Sequence, residues 1–397
     1  MAEWPTAMLG DLVVDGQISY GVVQPGSQDG AGVPIVRVKD IRDGKVDTRW
    51  PARVSAAVSE RHARTVLSGG ELLVTLVGTV GEAAVAGPSL AGWNVARAVA
   101  VVRPKGVSAE WLRIALLTPT VREQIRASVN TTVQTTLNLS DLKTLRVPVP
   151  DELTRTGIAE VLGALDDKIA ANKRLAAIAD DLARAKFDEE AGLGGYRAMP
   201  LGDAATIVLG GTPDRANPEY WTDGTVPWLN SGKANEARVF EPSELITETA
   251  LARSAAKLMP RSATVLAITG ATLGKVARLE IEAAGNQSLV GIWSHDPALN
   301  DWLFFAVRGA VPKLVQSATG AAQQHVSKRD VEALEVPVAP TDALARWGSS
   351  VRPLLDSAAA VGRQNRTLAA TRDALLPALM SGALRVKDPK RLAEDLT

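Results

Sequence analysis

Apolar residues recur every three or four positions within 158–187, at Ile158, Leu162, Leu165 and Ile169 and then at Leu175, Ile178 and Leu182. That spacing puts them on one stripe of a helix. The run is rich in Ala and free of Pro, with Gly163 its one tolerable weak point. At ~1.5 Å per residue it predicts a helix about 45 Å long. Such a stripe needs a partner, and 347–379 supplies one, with Val351, Leu354, Ala358, Val361, Leu368, Leu375 and Leu379 in the same pattern. The two runs also resemble each other. Leu165-Asp166 returns as Leu355-Asp356, and Asn172-Lys173-Arg174-Leu175 returns, after a short slip, as Asn365-Arg366-Thr367-Leu368. Asn172 and Asn365 interrupt the apolar seams, as the residues that fix register in coiled coils do at some cost in stability. Taken alone, the two runs could also be core helices of one large domain.

A wider repeat favours another architecture. Leu9-Gly10-Asp11 returns as Leu201-Gly202-Asp203, and Val33-Pro34 as Val226-Pro227. The stretch LLVTLVGTVGEAAVAG at 72–87 returns as VLAITGATLGKVARLE at 265–280, with Thr79 over Thr272 and Gly81 over Gly274. Asn94 falls over Asn286, Trp111-Leu112 over Trp302-Leu303, and LRVPVP at 145–150 over LEVPVAP at 334–340. The period stays near 190 residues throughout. Each half therefore holds a globular head followed by a long helix.

The divisions expected are a first head at 1–150, a helix at 151–190, a second head at 191–340, a second helix at 341–386 and a charged tail at 387–397. In the first head, Ile35–Val38, Leu72–Leu76 and Val99–Val102 read as strands, with Gly78 and Gly81 marking a tight turn. Ser108 is the expected N-cap of a helix at Ala109–Leu117, and a further helix runs through Val121–Ala127. The class is α+β.

Composition narrows the function. Nearly half of the 397 residues are hydrophobic, at 46%, enough for two sizeable cores. Cysteine is absent, which excludes a disulfide framework and cysteine-based metal or nucleophile chemistry. No signal-like N-terminus or membrane-length apolar run is visible, so a cytoplasmic location is expected. Formal net charge is zero, which argues against a general polyanion binder. Its distribution is uneven: +3 over 1–150, −4 over 151–190, −2 over 191–340 and +3 over 341–397. The opposite signs of the two helical regions suit a pair.

Catalytic patterns are missing. Gly270–Lys275, GATLGK, echoes a phosphate-binding loop but is one residue short and lacks the Ser or Thr after the lysine. The matching turn in the first half carries Glu82 instead. His62, His295 and His325 lie far apart without ligand-spaced partners. Two similar heads joined by paired helices suit a bipartite linear target such as DNA, whose half-sites on one face recur roughly every 34 Å.

Candidate DNA-binding groups in the first head are Arg37, Lys39, Arg42, Lys45 and Arg49, within the run VRVKDIRDGKVDTRW, and the loop residues Thr131, Thr132, Gln134 and Thr135. In the second head they are Asn230, Ser231, Lys233, Thr272, Lys275, Gln323, Gln324, His325 and Lys328. Arginine and lysine hold phosphates or read guanine edges, and short polar side chains offer donors and acceptors. Each of these is also an ordinary surface polar residue when considered singly. Recurrence at matched places favours the loops as a group.

In order, twice over, these marks resemble the specificity subunit of type I restriction–modification systems across essentially the full length. The marks are the Leu-Gly-Asp starts at 9 and 201, the glycine turns at 78–81 and 270–274, and the Val-Pro-Val exits. LDDKIAANKRL within the first helix and the closing LLPALMSGALRV at 375–386 complete the set. The resemblance implies two target recognition domains separated by two long antiparallel coiled-coil helices, in a pseudo-twofold arrangement. Each domain would read half of a split, asymmetric DNA target. The helices would set the spacer and dock two modification subunits carrying S-adenosylmethionine-dependent methyltransferase chemistry. Restriction subunits using ATP and Mg would join them. No catalytic role, metal or cofactor is expected on this chain. Two other classes remain open here: an enzyme with a nucleotide or S-adenosylmethionine site, and a protein scaffold without a DNA role.

Overall fold

The computed structural model describes residues 4–386 except 25, 27–29, 130–134, 195 and 319–324, together with Pro389, Leu392 and Glu394. The chain forms two compact units, one of Met1–Ala171 with Arg366–Thr397, the other Asn172–Asn365. Each unit holds one head together with a part of each long helix. The helices run Glu152–Gly192, 41 residues, and Thr341–Met380, 40 residues, or about 60 Å each at ~1.5 Å per residue.

The first helix starts earlier than its apolar stripe because Asp151 caps it: its carboxylate accepts from the Thr154 N–H at 2.9 Å and the Thr154 hydroxyl at 2.8 Å. That hydrogen bonding holds the Asp151 carboxyl below the usual carboxylate range.

In the first unit the main sheet is antiparallel, in the order Val13–Tyr20, Val99–Pro104, Leu72–Thr75, Ala83–Val85. A second sheet places Val33–Val36 between Ala52–Val54 and the parallel Asn94–Val95. Thr6–Met8 pairs with Arg146–Pro148, bringing the two ends of the head together. Trp111, on the helix Ala109–Leu117 capped by Ser108 as expected, is fully buried and donates its indole N–H to the Pro148 carbonyl at 2.9 Å. Ile158, Leu162, Leu165 and Ile169 pack into this core with Leu368 and Leu379. Gly157 lies near Val386 and Asp166 meets Arg372, so here the helix segments run antiparallel.

The second unit repeats the plan. Its main sheet runs Thr206–Leu209, Leu289–Trp293, Thr264–Ala267, Val276–Leu279, Arg238–Val239. Its second sheet again contains a parallel pair, Val226–Leu229 with Ala283–Gly285, and Arg197–Pro200 closes on Glu335–Val338. Trp302 donates to the Pro337 carbonyl at 2.6 Å, matching Trp111. The parallel pairs correct one alignment: Ile35 faces Asn94 while Trp228 faces Ala284. Ala284 therefore stands where Asn94 does, and Asn286 lies two residues further on. The two asparagines also do different work. Buried Asn94 bridges Thr65 and Ser59, whereas Asn286 accepts from the Ser288 N–H.

The stripe on the first helix needs a second correction. Leu175, Ile178 and Leu182 are 46%, 63% and 46% exposed, while Asn172, Ala179, Ala183 and Phe187 are buried. The four-three spacing of Ile158, Leu162, Leu165 and Ile169 continues through 172, 176, 179 and 183. It therefore leads into asparagine and alanine and leaves the leucines on a neighbouring face. On the second helix Leu355 is buried, with Leu354, Val361 and Leu375 only half-buried. Asn172 donates to the Gln364 side-chain carbonyl at 2.8 Å, so its partner is the residue preceding Asn365. Among the described residues no helix is long and apolar enough to cross a membrane.

Candidate nucleic-acid interface

In each head a strand of the second sheet ends in a 3-10 turn facing a glycine turn of the main sheet. In the first, the strand stops at Val36, two residues earlier than its hydrophobicity suggests, because Arg37 and Asp40 close a turn. The Arg37 N–H and Nε both donate to Asp40, at 2.9 and 2.8 Å, and its guanidinium also reaches the Trp50 carbonyl at 2.9 Å. The glycine turn lies across from it. Gly78 and Gly81 have φ of +78° and +82°, backbone open to glycine at little cost. A cleft of about 730 Å³ between the two turns is lined by Lys39, Ile41, Arg42, Gly78, Thr79 and Glu82, among others. Val77 bridges Thr136, and Gly78 donates to the Thr135 carbonyl. The described end of the polar loop, Thr135 and Thr136, thus lies at the same place.

The second head reproduces the convergence with other residues. The turn Ser231–Asn235, capped by the Asn230 side chain at the Gly232 N–H (2.9 Å), packs against Gly270–Thr272. Thr269 bridges His325, the counterpart of the Val77–Thr136 bridge. Gly270 and Gly274 have φ of +65° and +78°. This turn joins two antiparallel strands and opens no helix, so the phosphate-loop echo ends there.

The candidate residues divide by what holds them. Lys39, Arg42, Thr135, Asn230, Lys275 and His325 are exposed. Arg37, Lys45, Arg49, Lys233 and Lys328 are tied to Asp40, Asp167, Asp47, Glu236 and Glu332. The Arg49 hydrogen bonds hold the Asp47 carboxyl at about 2. Ser231 is half-buried, and Thr272 donates to the Thr269 carbonyl. Thr131, Thr132, Gln134, Gln323 and Gln324 lie outside the described residues.

Two features escaped the sequence reading. Trp50, beside the Arg37–Asp40 turn, is 85% exposed, an expensive place for an indole unless it meets a partner. In the second head the Arg215 guanidinium stacks 3.6 Å above Trp221 and is held bidentate by Glu244 at 2.6 and 2.8 Å. The Glu244 hydrogen bond raises the Arg215 pKa. Both lie in loops without periodicity. In the sequence Arg49 directly precedes Trp50, whereas Arg215 stands six residues before Trp221 and gives no such signal.

Among the described residues no three His, Asp or Glu side chains gather as a metal site would require. What the heads offer is cations, amides and hydroxyls on loops braced by a rigid scaffold. That is the construction of a binding surface. The class defined is a binding protein with two related heads, each seated on segments of two long helices.

Comparison with known proteins makes the class specific. Residues 194–343 match the type I restriction modification DNA specificity domain family. The chain is similar to the EcoBI type I restriction enzyme specificity subunit of Escherichia coli, 32% identical over 151 residues, which are 37% of this chain and 32% of that one. The EcoR124I/EcoR124II specificity subunit of the same organism is 24% identical over 143 residues, 35% of each chain. These matches span about a third of each Escherichia coli subunit. The MjaIX type I restriction enzyme specificity subunit of Methanocaldococcus jannaschii is 23% identical over 386 residues, 90% of this chain and 88% of that one. The fold is similar to the crystal structure of a type I restriction-modification system S subunit from M. genitalium, with a TM-score of 0.60 at 14% identity, covering 95% and 96% of the two chains. Residues 194–343 thus carry a type I restriction modification DNA specificity domain, and along nearly its whole length the chain is similar to specificity subunits of that kind.

Proposed function

We propose that this chain is the DNA-recognition subunit of a type I restriction–modification complex, each head reading one half of a split, asymmetric duplex target. The observation that carries this reading is the repeated convergence of a 3-10 turn, a positive-φ glycine turn and a bridging polar residue, Thr136 or His325, in both heads, on a shared skeleton but with different side chains. Two copies of one construction with diverged contact residues suit two different half-sites. Lys39, Arg42 and Thr135 are the contact residues in the first head. Asn230, Lys275 and His325 take that part in the second. Arg37 and Arg49, held by carboxylates, shape their loop.

The long helices set the spacer between half-sites and dock two modification subunits. The exposed stripe Leu175, Ile178, Leu182 is an apolar face of the kind such a partner covers. S-adenosylmethionine, ATP and Mg belong to the modification and restriction subunits, and this chain is non-catalytic and cytoplasmic. The zero net charge fits a subunit whose partners supply much of the phosphate neutralisation.

The test is sequencing of methylated adenines in cells that express the modification subunit with and without this chain. A split motif seen only when both are present is the expected result. Exchange of residues 1–150 for a related head is expected to change one half-site and leave the other. Methylation indifferent to this chain, in cells with an active partner complex, would overturn the assignment.

A further inference from the structure

Each unit buries an ion network where its head meets its helix segments, in the first unit directly beneath Gly44 of the basic run. In the first unit Asp166, on the first long helix, is 7% exposed and accepts from two arginines. Arg113 of the head helix donates at 2.7 Å and Arg372 of the second long helix at 2.9 Å. Glu110 holds the Nε of Arg113 at 2.9 Å. In the second unit the first long helix again supplies an aspartate and the second long helix an arginine. Arg238, buried on a head strand, donates to Asp180 on the first long helix at 2.6 Å and to Glu280 beside it. Asp301 of the head, 1% exposed, takes Arg278 and the second-helix Arg352, each at 2.8 Å. The two networks share one aligned position, Glu110 over Asp301, each an acid directly before the buried tryptophan, and each network ties one head to both helix segments of its unit.

Buried ion pairs give little net stability, because desolvation offsets much of their attraction. What they supply is direction. Apolar contact tolerates sliding and tilting, whereas charge-assisted hydrogen bonds to a planar guanidinium hold distance and angle together. We infer that Asp166 with Arg113 and Arg372, and Asp301 with Arg278 and Arg352, are positioning residues that fix the tilt of each head on its helix segments and so select the spacer length of the DNA target. The inference rests on the proposed function. A head of this size has a radius of gyration of ~15 Å, so its far end stands on the order of 30 Å from the seat. A tilt of about 10° moves that end by roughly 5 Å, more than the ~3.4 Å rise of one base pair. A loosened seat therefore changes which spacer is accepted without changing which bases are read.

The experiment uses the whole chain in complex with its modification subunit and reads methylated adenines across a genome. Asp166→Asn keeps the shape of the side chain and removes its charge. Arg372→Gln removes a half-exposed partner and leaves the Arg113 bond in place. Both are expected to keep the two half-sites and to raise methylation at spacers one base pair longer or shorter at least ~10-fold relative to the native spacer, by the tilt argument above. Arg372→Lys, which retains the charge, is expected to restore most of the native selectivity. Loss of stability alone would lower methylation at every spacer together and leave their ratio unchanged. If Asp166→Asn does not accumulate as folded protein, Arg372→Gln decides. A folded Arg372→Gln complex with the single native spacer would overturn the inference and leave the recognition role standing. Absence of any split motif from the unsubstituted complex would overturn both.

Discussion

The two heads share backbone devices and differ in what fills them. Both bury a tryptophan that donates to the carbonyl of a Val-Pro-Val exit, both contain a parallel strand pair, and both turn the main sheet on positive-φ glycines. Their seats on the helices differ. Around Trp111 the first unit packs mainly aliphatic residues, among them Ile158, Leu162, Leu165 and Leu379. Around Trp302 the second gathers rings: Phe187 at 4.5 Å, Trp347 at 5.1 Å and Tyr196 at 5.7 Å between centroids. After duplication the constraints that survive are those with few solutions. A carbonyl needs a donor and a left-handed turn favours glycine, whereas a core accepts any set of apolar shapes that fills it.

The largest expected effect tests that asymmetry. Trp302→Ala is expected to destabilise the second unit by about 3–5 kcal/mol for the lost volume, with roughly 0.5–1.5 kcal/mol more for each ring pair broken. Trp111→Ala should stay within the first range. Hydrogen exchange followed separately in the two units reads the difference, and equal losses would remove the special standing of the aromatic seat.

The glycine turns sharpen the comparison at a lower level. A Cβ on Gly274 would meet Val315 Cγ2 at 2.7 Å, while one on Gly81 would meet Ile125 Cδ1 at 3.1 Å. Both substitutions carry the cost of positive φ, on the order of 1–3 kcal/mol. Gly274→Ala is therefore expected to cost more than Gly81→Ala, by denaturant midpoint, and to disturb the neighbouring reading loop with it.

Where the sequence reading succeeded, it rested on features with one physical solution. Ser108 before an apolar run and glycine pairs between short strands stand where expected. It erred where chemistry and geometry part. The seam of the first helix follows a 3.5-residue period into Asn172, Ala179 and Ala183, although the more hydrophobic Leu175, Ile178 and Leu182 lay one position away. Of the candidate site, the segments that converge were legible because they recur. Which cations remain open was not, since Asp40, Asp47 and Asp167 claim Arg37, Arg49 and Lys45 through contacts that no periodicity announces.

The smallest expected difference separates the helices that follow the two polar loops. Before Lys328–Glu332, Ser327 accepts from the Asp330 N–H at 3.2 Å, and Asp330 accepts from the Ser327 N–H and hydroxyl at 2.8 and 2.7 Å, a full capping box. Before Leu139–Thr144, Asn138 makes no side-chain cap bond. Ser327→Ala is expected to cost about 1 kcal/mol and Asn138→Ala distinctly less. The serine's hydrogen bonds hold the Asp330 carboxyl below its ordinary value, so folding favours its ionised form. A depressed carboxylate pKa adds stability that is complete above the unfolded value, about 4, and disappears as pH falls through the folded one. The cost of Asp330→Asn should therefore be full near pH 6 and shrink steadily below pH ~4. A cost that stayed constant across that range would mean the box acts through shape alone, and the cap would then drop out of the differences between the heads.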